Sequence, residues 1–233
     1  MRIGIIVAMD KEYNQLKGLL SSSVEALQKG QTFLVGQIGD ATLIITKAGI
    51  GKVNATFGAC NLIDHYNPDV VISTGCAGGA SAELDVRDVV VSTASCYHDV
   101  WCGQPNAKGQ VQGLPARFEA DRQLVDIAWN MECNSVIVPG LIVSGDWFVD
   151  TVEKMRSIIA DFPQATAVDM ETAAIAQICY LHQMPFVSFR VISDIPLKEN
   201  NEAAYDNFWE QIADQSFTVT YQFVQAIINN YQK

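Results

Sequence analysis

Short apolar runs rich in β-branched residues alternate with longer helical patterns along the whole of this 233-residue chain. This alternation restricts the fold most, because strands that alternate with helices form sheets covered by helices on both faces. Most of the runs are uniformly apolar, which indicates strands with no face open to water. The predicted strands cover residues 3–7, 32–35, 42–46, 70–74, 89–92, 136–143 and 186–192.

The predicted sheet is mixed, because residues 37–40 form a short connection between two predicted strands that is typical of a hairpin. We expect an α/β fold, a three-layer sandwich with a mixed central sheet, formed by residues 1–233 as a single domain. A chain of this size can bury roughly 70% of its unfolded surface without disulfide bonds or a bound metal. The predicted helices cover residues 11–20, 53–66, 121–131, 151–160, 171–181 and 205–230.

The charge balance restricts the partners. There are 26 acidic and 15 basic residues, which gives a net charge of −11. Such a surface repels nucleic-acid phosphates and anionic lipid heads, so we expect neither nucleic acid nor membrane as a partner. No apolar run approaches the ~20 residues of a membrane-spanning helix, and Met1 leads straight into a predicted strand. These features favour a cytoplasmic protein.

The cysteine pattern argues against disulfide bonds and against a structural metal site. The six cysteines have no CxxC spacing, and only three histidines accompany them. In a chain this large and apolar we expect reduced cysteines in the core, with no zinc site or other metal site. These cysteines are Cys60, Cys76, Cys96, Cys102, Cys133 and Cys179.

Three carboxylates stand directly after predicted strands. Glu12 follows the first strand, Glu171 opens the helix after the run at 165–168, and Asp194 follows the strand at 186–192. Ligands of α/β sheets bind outside the carboxyl ends of the strands, so these acids are candidate catalytic groups. Each is also typical of an ordinary helix end or turn when taken alone.

Two glycine-rich segments follow strands, at residues 49–52 and 75–79. Glycine lets a backbone approach a ligand closely, although the first segment also fits a strand-to-helix turn. Neither has the spacing of a P-loop or a dinucleotide turn, which argues against those nucleotide sites. The chain also lacks the Gly-x-Ser-x-Gly elbow of α/β-hydrolases.

An irregular stretch from Cys96 to Phe118 contains several glycines and prolines. Long loops in compact domains tend to be functional or interfacial. This one carries Val100, Trp101 and Leu114, and it is too apolar to lie wholly in water. We therefore expect part of it to form a subunit contact.

Seven motifs stand in an order that closely resembles the 5′-methylthioadenosine/S-adenosylhomocysteine nucleosidase family. The resemblance covers nearly the whole chain. It implies a purine nucleoside phosphorylase-like fold, a homodimer, no cofactor, and hydrolysis of the N-glycosidic bond of an adenine thionucleoside. The motifs are Ala8-Met9-Asp10-Lys11-Glu12, Gly49-Ile50-Gly51-Lys52, Thr74-Gly75-Cys76-Ala77-Gly78-Gly79, Tyr97-His98-Asp99, Ser144-Gly145-Asp146-Trp147-Phe148, Val168-Asp169-Met170-Glu171 and Arg190-Val191-Ile192-Ser193-Asp194.

The resemblance also implies roles for individual residues. Asp194 would protonate purine N7, and Glu12 would take a proton from the attacking water. Arg190 matches an arginine near that water, while Cys76 replaces the usual serine and is a poorer hydrogen-bond donor. The other implied contacts are Glu171 and the Met170 backbone to the ribose, Phe148 and the Val149 backbone to adenine, and Met9, Ile50 and Tyr205 to the 5′-alkylthio group.

Carboxylates suit this chemistry, because the sugar gains positive charge and the purine negative charge as the bond breaks. Asp194 must carry a proton, so its site must favour the neutral acid. Three alternatives stay open: a purine nucleoside phosphorylase, a 6-amino-6-deoxyfutalosine hydrolase, and a non-catalytic nucleoside-binding protein. The phosphorylase would need cationic groups where Glu12 stands. 5′-Deoxyadenosine is a further candidate substrate.

Overall fold

Ten strands and six helices form in the part of the chain that the computed structural model describes, residues 1–18, 20, 22–198, 205–206, 208–209 and 218–232. The strands are β1 (Arg2–Val7), β2 (Ser23–Gln28), β3 (Gln31–Ile38), β4 (Ala41–Lys47), β5 (Val70–Gly79), β6 (Val89–Tyr97), β7 (Phe118–Glu119), β8 (Ile137–Ser144), β9 (Ala165–Asp169) and β10 (Phe186–Asp194). The helices are α1 (Asp10–Lys17), α2 (Lys52–Tyr66), α3 (Arg122–Asn130), α4 (Val152–Asp161), α5 (Thr172–Leu181) and α6 (Thr218–Asn230).

All ten strands belong to one mixed sheet, whereas the sequence predicts a mixed sheet of seven strands. Its first part runs β5-β1-β4-β3-β2, where β1 is parallel to both neighbours and β3–β4 is the predicted hairpin. Gly39 turns that hairpin with φ +57°, a conformation that glycine adopts without strain. The predicted mixed sheet is thus confirmed.

The second part of the sheet closes on itself. β5 pairs with β9 and β10, and β6 pairs with β8 and β10, while β8 pairs with β9. Each of these five strands contributes a residue to one apolar cluster, which therefore fills the interior of the ring. The strand residues of this cluster are Ala77, Val90, Ile142, Ala167 and Ile192.

Helices cover both faces of the sheet, which confirms the three-layer sandwich. α2 and α5 pack together on one face with Ile6, Ile44 and Val71. α1, α3 and α6 pack on the opposite face, where Phe223 of α6 stacks on Phe189 of β10 at 4.5 Å between ring centroids. No helix in the described ranges is both long and apolar enough to cross a membrane.

Several details differ from the predictions. β2 and β7 were not predicted, and α1 ends at Lys17, with Gly18 as its C-cap, whereas the prediction extended this helix to Leu20. Within the predicted helix at 205–230, α6 starts at Thr218, and most of 207–217 lies outside the described residues. Cys102 is exposed, so the expectation of a core position is wrong for this cysteine.

The loop after β6 is also less exposed than its composition suggests. Phe118 is buried, and Val100 and Leu114 pack against the core formed by α2 and α5. Trp101 remains 55% exposed. Of these four apolar side chains, Trp101 is therefore the one available for a subunit contact, because the chain itself already covers the other three.

Candidate active site

The carboxyl ends of β1, β5, β8, β9 and β10 border one cleft, which together with its open mouth encloses about 620 Å³ of empty space. Every predicted site residue lines it except Arg190, whose side chain is buried behind the wall. Four lining residues are acids, and no lysine, arginine or histidine lies among the described ones. The lining residues are Ala8, Met9, Glu12, Ile50, Cys76, Ala77, Gly78, Trp147, Phe148, Val149, Val168, Asp169, Met170, Glu171, Ser193, Asp194 and Tyr205.

Glu12 is 1% exposed, and its carboxylate is held by backbone amides. Oε2 accepts from the amides of Ala8 at 2.9 Å and Met9 at 3.0 Å, and Oε1 accepts from that of Cys76 at 3.0 Å. Burial raises the pKa of Glu12, against the lowering effects of Arg190 and these amides. A carboxylate has about four acceptor positions. Three amides therefore leave room for about one further donor.

Gly75 makes the close approach of Glu12 possible. A Cβ at this position would lie 2.3 Å from Glu12 Oε1 and 2.8 Å from a terminal nitrogen of Arg190. Its φ of +143° also disfavours other residues. Gly75 thus leaves the space that the side chains of Glu12 and Arg190 fill.

Arg190 lies in β10 with 1% of its surface exposed. Its guanidinium forms an ion pair with Asp169 at 2.9 Å and donates to Ser73 Oγ at 2.7 Å and Thr74 O at 3.2 Å. Burial alone lowers the pKa of Arg190, but the surrounding carboxylates outweigh burial and raise it. Arg190 is therefore a charged residue whose guanidinium is already bonded to groups of the protein itself.

Glu171 precedes α5 and is buried, with Oε1 accepting from the Gly51 amide at 2.8 Å. Burial raises its pKa to about 7, Asp169 adds to that rise, and Arg190 opposes it. The hydrogen bond uses one acceptor position of the carboxylate. Glu171 can thus still accept hydrogen bonds from a pair of hydroxyls in the cleft.

Asp194 ends β10 and is 3% exposed. Its Oδ1 accepts from Ser193 Oγ at 2.6 Å, and its Oδ2 lies 3.6 Å from the point that a Cβ on Gly78 would take. The small residue opposite leaves the carboxyl beside the cleft. The structure thus brings Asp194 into the same cleft as Glu12 and Glu171.

Cys76 is half-buried beside these acids. Burial and the charge of Glu12 raise the pKa of its thiol well above the ordinary value, with Arg190 opposing. A nucleophilic cysteine needs the opposite shift. The contact of Cys76 with Glu12 is made by its backbone amide, so the side chain is not required for it.

Apolar side chains form the rest of the cleft. The rings of Phe148 and Tyr205 meet edge to face at 5.4 Å, and Tyr205 Oη lies 3.9 Å from Met9 Sδ. Ile50 lines the cleft while 51% of it is exposed. The cleft therefore has an acidic inner part and an apolar outer part.

Seven lining residues were not predicted as site residues. All of them lie inside the seven sequence motifs described above, so membership of a motif was the available signal. Within the described residues, no group of three or more His, Cys, Asp and Glu side chains is placed to hold a metal ion. The seven residues are Ala8, Ala77, Gly78, Trp147, Val168, Asp169 and Ser193.

Comparison with known proteins gives consistent results. The model of the "Phosphorylase superfamily" matches residues 2–229. A 5′-methylthioadenosine/S-adenosylhomocysteine nucleosidase of Bacillus anthracis is 40% identical over 217 residues, which are 91% of this chain and 94% of that protein.

Two solved structures extend the comparison. The nucleosidase of the same name from S. pneumoniae, with a transition-state inhibitor, has a TM-score of 0.90 and 32% identity, covering 97% of this chain and 100% of that one. A futalosine hydrolase mutant of Helicobacter pylori has a TM-score of 0.88 and 27% identity, covering 97% and 99%.

Proposed function

We infer the function of this chain from its membership of the phosphorylase superfamily and, within it, of the 5′-methylthioadenosine/S-adenosylhomocysteine nucleosidases. We propose that it hydrolyses the N-glycosidic bond of 5′-methylthioadenosine and S-adenosylhomocysteine. The products are adenine and a 5-substituted ribose. The observation that carries this proposal is a cleft lined by four acids and, among the described residues, by no cation.

Such a cleft suits a transition state in which positive charge grows on the sugar. Carboxylates that surround the ribose stabilise that charge through fixed electrostatic interactions in a site shielded from water. Glu12 and Glu171 are both buried there. The site thus favours the oxocarbenium-like state over the uncharged nucleoside.

Glu12 takes a proton from the attacking water. Its amide contacts fix the carboxylate and leave about one acceptor position for that water. Arg190 lies beside Glu12 and favours the ionised form of this base, since its charge lowers the pKa that burial raises.

Asp194 donates a proton to purine N7 as the bond breaks. A protonated purine is a better leaving group, because the negative charge that develops on the ring is neutralised. Ser193 fixes one oxygen of Asp194 at 2.6 Å. The carboxyl group of Asp194 then supplies the proton.

The remaining contacts set substrate recognition. Glu171 and the Met170 backbone bind the ribose hydroxyls, and the Phe148 ring and the Val149 backbone contact adenine. The apolar outer part of the cleft takes the 5′-alkylthio group. The residues of that part are Met9, Ile50 and Tyr205.

Phosphorolysis is disfavoured by the same geometry. Phosphate needs free cationic donors, whereas the guanidinium of Arg190 is engaged by Asp169, Ser73 and Thr74. Glu12 would also repel an anion in its vicinity. Water is therefore the better nucleophile for this cleft.

Incubation with 5′-methylthioadenosine, with and without phosphate, tests the proposal. Free methylthioribose in both reactions is the expected product, while methylthioribose 1-phosphate would establish a phosphorylase. Binding of the nucleoside without any cleavage would leave only a binding protein. A parallel reaction with 6-amino-6-deoxyfutalosine measures the alternative suggested by the futalosine hydrolase neighbour.

Residues 1–233 act as one catalytic domain in a cytoplasmic homodimer, and the partner chain completes the apolar part of the cleft. The support for a dimer is an apolar surface near Ile50. Val53 and Phe57 lie on one side of α2, one helical turn apart, and are 80% and 49% exposed. Exposed apolar residues on a helix beside an open cleft are typical of an interface.

A further inference from the structure

Ser144 is a fully buried serine at the end of β8, outside the set of residues that line the cleft. Its Oγ donates to Asp169 Oδ1 at 2.5 Å and accepts from the Ala173 amide at 2.9 Å. Both hydrogen-bonding functions of the hydroxyl are therefore used. The serine links β8 to β9 and to the first turn of α5.

Asp169 is the centre of this network. Besides Ser144, its carboxylate accepts from the amide and hydroxyl of Thr172 and forms the ion pair with Arg190. Its carbonyl oxygen accepts from the Gly145 amide at 3.2 Å. Asp169 is thus held by the adjacent start of α5 and by two strands that are distant in the sequence, β8 and β10.

The short segment Met170–Glu171 lies between two fixed residues. Asp169 precedes it, and Thr172, whose amide and hydroxyl bond Asp169, follows it. A buried hydrogen bond to a charged group contributes more than one between neutral groups. The geometry of this segment therefore depends on the bonds that hold Asp169.

We propose that Ser144 and Asp169 are positioning residues of the nucleosidase: their hydrogen bond holds the segment that presents Glu171 to the ribose hydroxyls. The inference rests on the proposed function, since it concerns how that reaction's substrate is held. Neither residue needs to touch the reacting atoms. Their contribution acts through Glu171, with Arg190 as the second group that Asp169 orients.

The test compares 5′-methylthioadenosine with its 2′-deoxy analogue in the wild type and in Ser144→Ala. A weakened contact of Glu171 with the two hydroxyls lowers kcat/KM for the ribonucleoside more than for the 2′-deoxynucleoside, which has only the 3′-hydroxyl left to bind. We expect the ratio of the two kcat/KM values to fall roughly tenfold in Ser144→Ala, with inhibition by free adenine unchanged. General damage to the protein would lower both kcat/KM values together and leave the ratio as it was.

Thr46→Val provides a matched control. Thr46 is also fully buried, and its hydroxyl likewise accepts one hydrogen bond, from Gln31, and donates one, to Thr32 O, but it lies in β4 and outside the cleft lining. The control should keep the wild-type ratio. A Ser144→Ala ratio equal to that of the wild type and the control would overturn the inference.

Asp169→Asn keeps the test decisive if Ser144→Ala does not fold, because it changes the other partner of the same bond. It should lower the same ratio, and an unchanged ratio would again overturn the inference. Failure of the proposed function looks different, since the wild-type protein would then not cleave 5′-methylthioadenosine at all.

Discussion

Asp194 offers the sharpest test of a single residue, because an amide can replace its carboxyl without a change in shape. Asp194→Asn keeps an acceptor for Ser193 Oγ but has no acidic proton for purine N7. We expect turnover to fall by about 10²- to 10⁴-fold with nucleoside binding largely kept. Single-turnover kinetics and a binding isotherm measure the two quantities. Near-wild-type turnover in a folded variant would remove Asp194 from the mechanism.

The buried glutamates predict the pH dependence of the reaction. Burial raises the pKa of Glu171 to about 7 and also raises that of Glu12. Both must be ionised to work, and an acid with a raised pKa loses its charge at a higher pH than usual. We expect kcat/KM for 5′-methylthioadenosine to fall as the pH drops below about 7. A profile that stays flat down to pH ~5 would contradict these roles.

Gly75 tests the packing of Glu12 against Arg190. In Gly75→Ala the new methyl group meets the Glu12 carboxylate, so the base must move from its three amides. We expect at least a ~10²-fold loss of turnover, since small displacements of catalytic groups are costly. Gly30→Ala is the control: Gly30 also has a positive φ, +80°, but open space around it. Equal losses of turnover in both variants would show that backbone strain, and not the contact with Glu12, causes the effect.

At the scale of elements, a charged cluster joins the start of α2 to the segment before Phe148. Asp99 Oδ2 accepts from Lys52 Nζ at 2.7 Å and from the Asp146 amide at 2.9 Å, and Asp146 Oδ1 accepts from the Lys52 amide at 2.8 Å. Two walls of the cleft, one carrying Ile50 and the other Phe148, are thereby tied together.

Asp99→Asn should loosen this connection while leaving the acid and the base in place. We expect KM for 5′-methylthioadenosine to rise about fivefold at nearly constant kcat, because the contacts affected bind the ground state and the transition state alike. Asp85→Asn removes one partner of an exposed ion pair with Lys198 and should change neither constant. A drop in kcat without a change in KM would contradict the assignment.

The elements that the sequence predicts are those with a strong apolar pattern. β2 has four of six residues exposed and the other two half-buried, so no apolar periodicity marks it. The closure of β5, β9, β8, β6 and β10 into a ring is also absent from the pattern, because it depends on pairing between strands distant in sequence. Local periodicity shows which segments are strands, whereas their partners follow from packing of the whole chain.

The same distinction applies to the site in the whole molecule. The acids that follow strands were predictable, because strand ends converge at one edge of an α/β sheet. Ser144 was not, since its bond to Asp169 joins residues 25 positions apart and a buried serine has no characteristic pattern. Arg190 was predicted through the family resemblance, but its place behind the cleft wall was not, because that place is set by contacts with β5 and β9.

The assembly is tested by charging the apolar surface on α2. Val53→Asp should prevent two-fold pairing, because an isologous contact buries the new charge on both copies. The 80% exposure of Val53 means that folding of the single chain is unaffected. We expect Val53→Asp, and Trp101→Glu on the neighbouring loop, to sediment as monomers and to show a raised KM for thionucleosides.

Val24→Asp is the control for this pair of variants. Val24 is 71% exposed on β2, at the edge of the sheet, so the substitution adds the same charge away from α2. It should remain dimeric with an unchanged KM. If the wild-type protein sediments as a fully active monomer at micromolar concentration, no second chain completes the cleft, and the exposed apolar residues of α2 need another explanation.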